Sequence, residues 1–133
     1  MKILLLDPQR KVSHRISKDT SGGYGTGNDF GDTLIPNILK YLMKKNSHWP
    51  PMHAIYTYAV LEKMGHEIIY KENLPNDFKN FDLFIIVSSI VCCETEIDII
   101  KLLKSENKKI FAIGPFATNI PQIYSDAGAS VIS

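Results

Sequence analysis

The chain has 133 residues, with 15 Lys and Arg against 14 Asp and Glu, for a formal charge of +1. That is the length of one domain, enough to bury a core without disulfides or metals. The near-neutral balance argues against a dedicated nucleic-acid binder, whose footprint is a basic patch, and no apolar run approaches the ~18 residues of a membrane span.

Met1-Lys2 ahead of Ile3-Leu4-Leu5-Leu6 has the order of a secretory signal, but the apolar run stops at Asp7-Pro8 and is too short for one. Cys92 and Cys93 are adjacent and make no disulfide framework. Both features lead us to expect a cytoplasmic protein.

In chain order, residues 2–6 read as a buried strand ended by Asp7-Pro8. A polar stretch from about Gln9 to Asp32 follows, with Gly22, Gly23, Gly25, Gly27 and Gly31. A loop that long inside a compact domain is uncommon and usually functional or mobile. Residues 33–45 read as a helix, with Leu34, Ile38, Tyr41 and Leu42 at helical spacing and Pro36 in the first turn. Trp49-Pro50-Pro51 breaks the chain and opens a second helix. Its apolar face is read as Met52, Ile55, Tyr56, Ala59 and Val60, and Gly65 caps it.

His66 to Tyr70 reads as the second strand, and residues 74–81 as a turn or short helix. Leu83 to Val87 is a continuous apolar run, the mark of a strand buried on both faces. Glu94 to Ser105 is a helix with Ile97, Ile100 and Leu103 inward and Lys101 and Lys104 outward. Its acidic start and basic end suit the helix dipole. Lys109 to Ile113 is a strand stopped by Gly114-Pro115, Ile120 to Ala127 a short helix capped by Gly128, and Ala129 to Ile132 a last strand.

Alternating helices and non-alternating apolar strands predict an α/β fold with a parallel sheet covered on both faces. We expect a single domain over residues 1–133: a flavodoxin-like, doubly wound, five-stranded sheet of order 2-1-3-4-5, with right-handed crossovers. The final helix that usually follows the last strand is missing. A flank of strands 4 and 5 is therefore expected to lie uncovered, as in a fragment of a longer protein or one whose flank a partner or second copy covers.

Ligands of such sheets bind beyond the carboxyl ends of the strands, where the strand order reverses. Three loops are expected to meet there: Pro8 to Asp32, Ser88 to Glu94, and Gly114 to Asn119. Gly22, Gly23 and Gly25 let backbone N–H groups approach an anion, or simply make a flexible surface loop. No Gly-x-Gly-x-x-Gly joins a strand to a helix, and no Lys-Ser/Thr follows to make a Walker loop. Ser88 and Ser89 either bond a polar ligand or cap the next helix. Gly114 and Ala117 bring backbone close to whatever lies above the sheet, or form a tight turn capped by Thr118 or Asn119.

His14, His48, His53 and His66 include no metal-spaced pair, and Cys92 and Cys93 have no histidine nearby in sequence to complete a metal site. Packing or surface roles are expected for all six. Asp7 suggests a response regulator, but Ser88 stands where that family has its phosphoacceptor Asp.

Four segments together carry a resemblance. Pro50-Pro51 with the helix that follows and Gly65-His66-Glu67-Ile68, then Phe81 to Ser89, then Ile113 to Thr118, then Asp126 to Ala129, occur in that order. They resemble the N-terminal cobalamin-binding domain of cobalamin-dependent radical S-adenosylmethionine proteins. The likeness covers about residues 1–7 and 50–133. It implies a corrin ring over the strand ends, with Ser88, Ser89, Gly114, Pro115, Ala117 and Thr118 lining the site and the glycine loop able to cover ring or tail.

Three departures accompany it. The Asp-x-His-x-x-Gly motif that supplies a histidine to cobalt elsewhere is absent, as it is from many members of this family. Ile113 and Phe116 stand where the family has Gly and His. The Cys-x-x-x-Cys-x-x-Cys motif is absent too, so this chain alone cannot hold a [4Fe–4S] cluster in the usual way. The resemblance therefore implies a cobalamin-binding module whose S-adenosylmethionine and iron–sulfur cluster belong to a following radical domain, for methyl transfer or related chemistry. The rival readings are a nucleotide-sugar or flavin half-domain using Gly22 to Gly27, and a protein-interaction module.

Overall fold

The computed structural model describes residues 1–10, 16–19, 26–27, 33–46 and 50–132. Three five-residue strands, apolar but for a leading lysine in the first and last, form the middle of the fold: β1 (Lys2–Leu6), β5 (Leu83–Val87) and β6 (Lys109–Ile113). With β4 (Glu67–Lys71) and β7 (Ser130–Val131) they make one parallel sheet of order β4-β1-β5-β6-β7. Counted along the chain, that is the expected 2-1-3-4-5, a flavodoxin-like α/β fold. Register follows the apolar residues: Ile3 lies between Ile68 and Leu83, and Ile86 beside Ala112. β5 is buried at every position, which is why its sequence does not alternate.

Successive side chains point to opposite faces of the sheet. On one face Leu4, Leu6, Phe84 and Ile86 pack against Ile100 and Leu103 of α3 (Cys93–Ser105) and Tyr124 of α5 (Pro121–Ala127). On the other, Ile3, Leu5, Ile85 and Val87 pack with Ala54 of α2 (Met52–Lys63). Burying each large aliphatic side chain contributes about 1.5–3 kcal/mol. The flank expected to lie bare is partly covered: Ile113 is buried and Phe111 half-buried.

The inward face of α2 is not the expected one. Met52, Ile55, Tyr56, Ala59 and Val60 are all exposed, and Ala54, Tyr58 and Leu61 face the sheet. This helix is apolar nearly all round, so its period does not single out a face. The small Ala54 side chain allows close approach to β1. Helix α1 (Leu34–Asn46) likewise exposes Leu34, Ile38, Tyr41 and Leu42.

Two further elements depart from expectation. The stretch read as one loop from Gln9 to Asp32 contains β2 (Ile16–Ser17) and β3 (Thr26–Gly27), paired antiparallel in a sheet of their own. Residues 115–119, expected as loop, form the one-turn α4 (Pro115–Asn119). Pro115 sits at its first position, where the missing N–H is not needed.

Candidate functional site at the carboxyl rim of the sheet

The strand order reverses between β1 and β5, so the crevice beyond their carboxyl ends is the place for a ligand in this fold. Asp7 leaves β1 there, Ser88 and Ser89 leave β5, and Gly114 leaves β6. The second and third segments are tied together. Ser88 N donates to Ile113 O at 2.8 Å, and Ser88 Oγ accepts from Ala117 N at 3.0 Å. Gly114 has φ +110°, and a Cβ there would stand 2.9 Å from Ser88 Oγ and 3.0 Å from His53 Nε2. Glycine is needed at this point both for its backbone angle and for the space.

The middle of the crevice is filled by Lys18, which follows β2 and is fully buried. Its Nζ donates to Val87 O at 2.6 Å and to Glu96 Oε1 at 2.7 Å, and makes an ion-pair contact with Asp7 Oδ1 at 3.1 Å. Each carboxylate has further donors. Tyr70 OH donates to Asp7 Oδ2 at 2.8 Å. Ser89 N donates to Glu96 Oε1 at 3.0 Å, and Tyr124 OH donates to Glu96 Oε2. Among the described residues every partner of Glu96 is a donor, the environment of an ionised carboxylate.

Burial opposes the Lys18 charge, but Glu96 and Asp7 together outweigh it and hold the ammonium above its usual range. Burial pushes the Glu96 carboxyl up, against the pull of Lys18, Tyr124 and Ser89. Burial, then the Glu96 charge, pushes the Tyr124 hydroxyl up. Burial and Glu96 also push the Cys93 thiol up, so neither pressure favours a reactive thiolate.

The next residue faces the other way. Asp19 Oδ2 accepts from Met52 N, the first N–H of α2, and Oδ1 lies 3.0 Å from His53 Nδ1. Pro51, the residue before α2, provides no side-chain cap, so Asp19 takes that role from a distant part of the chain. His53 Nε2 is buried beside Gly114 without a hydrogen-bond partner among the described residues.

The fold thus gathers Ser88, Ser89, Gly114, Pro115, Ala117 and Thr118 on one rim, with unequal exposure. Ser88, Ser89 and Ala117 are fully buried, whereas Pro115 and Thr118 are exposed. Ser89 Oγ accepts from Cys92 N and donates to Glu96, so both serine hydroxyls are committed to protein partners. They shape the rim from beneath. Gly22, Gly23 and Gly25 lie outside the described residues. Beside the start of α2, an apolar hollow of about 250 Å³ opens among Leu5, Pro50, Ala54, Ile55, Tyr58 and Tyr70.

Sequence reasoning missed Lys18, Glu96, Tyr124 and the Asp19–His53 pair. Glu96 reads as an acid placed for the helix dipole, and Lys18 as one polar residue in a polar stretch. The signal open to reading is that Glu96 shares the inward side of α3 with Ile100 and Leu103.

Comparison with protein-family models, curated proteins and solved structures gives no match. The fold defines a flavodoxin-like α/β module with a parallel sheet of five strands. No helix of the described residues is long and apolar enough to cross a membrane.

Proposed function

We propose that this chain is a cobalamin-binding module whose exposed rim carries the corrin ring. The observation that supports this most is the turn at Gly114: a positive-φ glycine, too crowded for a side chain, leads directly into the exposed Pro115 and Thr118. The space a side chain would take there is filled by Ser88 and His53, so the turn is fixed from beneath and presents Pro115 and Thr118 as a preorganised surface for a large flat ring. In this reading Gly114, Pro115 and Thr118 touch the ring, while Ser88, Ser89 and Ala117 support the turn. The hollow beside α2 is apolar and suits part of the nucleotide tail.

When bound, cobalamin supplies methyl-carrying or radical chemistry, and the protein supplies position. Among the described residues no three His, Cys, Asp or Glu gather to hold a metal ion. The reading therefore asks the chain only for contacts to ring and tail. S-adenosylmethionine and the iron–sulfur cluster belong to a radical domain outside these residues. A reducing cytoplasm suits the free thiols of Cys92 and Cys93.

The test is retention of hydroxocobalamin by the purified chain on gel filtration, read by corrin absorbance. Thr118→Arg, on the exposed rim, is expected to weaken retention by about tenfold, the equivalent of one good contact, with an unchanged melting temperature. A chain that emerges colourless at high micromolar cofactor contradicts the proposal.

A further inference from the structure

The place where ligands sit in this fold holds part of the protein itself. Lys18 Nζ occupies the reversal point, bonded to the last carbonyl of β5 and set between the carboxylates that follow β1 and begin α3. Asp19 occupies the start of α2. Two consecutive residues therefore present a cation to the crevice and an anion to the neighbouring helix N-terminus.

What holds them there is weak in net terms. Among the described residues, the strap Ile16–Asp19 pairs through Ile16 with Gly27 and Ser17 with Thr26, in a ribbon separate from the main sheet. A two-stranded ribbon is marginal by itself. A buried ion pair gives back in attraction roughly what its charges lose in hydration, so an exit that lets water reach Lys18, Asp7 and Glu96 together costs far less than removing the cation alone. The Asp19 contacts lie at a partly exposed position, where solvent competes. The core of the sheet, by contrast, is held by apolar side chains that are fully buried.

We propose that the Lys18-Asp19 strap is a displaceable occupant of the crevice, seated when no ligand is bound and driven out when one enters. This rests on reading the rim as a ligand site and names its regulation: strap and ligand exclude each other. Ligand affinity is then reduced by the fraction of molecules in which the strap is seated. Tight binders are those that replace the contacts of Lys18 and Asp19 with contacts of their own.

Labelling of the full chain with an acetylating reagent, read lysine by lysine by mass spectrometry, tests this without a variant that might misfold. Lys63 and Lys101 are exposed and give the open rate. Hydrogen exchange at Leu4 and Leu5 gives the rate of global opening. Lys18 is expected to label more slowly than Lys63 and Lys101, but at least about tenfold faster than global opening allows. Saturating hydroxocobalamin, the probe used, is expected to raise Lys18 to the rate of Lys63. Lys18 labelling only at the global rate would overturn the proposal, and so would Lys18 staying protected in a chain that has visibly bound the cofactor. If hydroxocobalamin is not retained, the cobalamin reading fails, and the free-protein rate of Lys18 still decides for or against a displaceable strap.

Discussion

A lysine ammonium leaves water only where oxygens replace its hydration, and Lys18 has three such oxygens, from Val87, Glu96 and Asp7. Removing the cation alone strands the carboxylates. Lys18→Met is therefore expected to lose about 3–5 kcal/mol in urea unfolding, and Lys18→Met/Glu96→Gln to lose less than the single variant. A double variant no better than the single one would show that the two charges are not coupled. The pH dependence has a definite sign. The folded protein holds the Lys18 and Tyr124 protons above their usual ranges, so at alkaline pH it binds more protons than the unfolded chain. The stability contributed by these two groups is fully present below about pH 10, the ordinary tyrosine and lysine range, and is lost as pH rises beyond it. Tyr124→Phe is expected to lose about 1.5–3 kcal/mol at neutral pH, the worth of a hydrogen bond to a charged group, and to show a shallower alkaline fall in melting temperature. Gly114 and Gly65 make a second comparison. Both have positive φ, but a Cβ meets two polar atoms at Gly114 and nothing within 4 Å at Gly65. Alanine at either strains the backbone by about 1–3 kcal/mol. Gly114→Ala is expected to lower the melting temperature further than Gly65→Ala, and equal losses would mean the close approach to Ser88 and His53 has no energetic weight.

Among the elements, α2 depends on a residue far from it in sequence. Asp19→Ala removes the acceptor at its first N–H and is expected to lose about 0.5–2 kcal/mol in thermal or urea unfolding. Asp19→Asn, which keeps an acceptor oxygen, is expected to lose less. If both variants melt like the parent, the cap contributes nothing. The same contact shows where the sequence was legible and where it was not. β1, β5 and β6 could be read residue for residue, because a strand buried on both faces leaves an uninterrupted apolar run with sharp polar ends. The apolar part of the inward side of α3, Ile100 and Leu103, could be read because its outward side is lysine and acid, but Glu96 on the same side could not. The inward side of α2 could not, because Ile55, Tyr56 and Val60 are as apolar as Tyr58 and Leu61. The ribbon of β2 and β3 could not either, because two residues are too few for a period. At the rim, Ser88, Ser89 and Gly114 were found because a strand end is a recognisable place. Lys18, Glu96 and Tyr124 were missed because their meeting exists only once three distant segments have folded together.

For the whole molecule, the sheet divides the core of the described residues into two layers, with α3 and α5 on one side and α2 on the other. Phe84 lies in the first layer and is fully buried. Every residue of β1 inward from Lys2 is likewise closed to solvent, and its neighbours in the sheet lie at residues 67–71 and 83–86. Parallel pairing has no short hairpin to bring such distant segments together. On the ribosome β1 must therefore wait, as a bare Ile-Leu-Leu-Leu tetrapeptide, until residues 67–71 and 83–86 have been synthesised. During that interval it is a natural docking point for chaperones and the part of the nascent protein most exposed to aggregation.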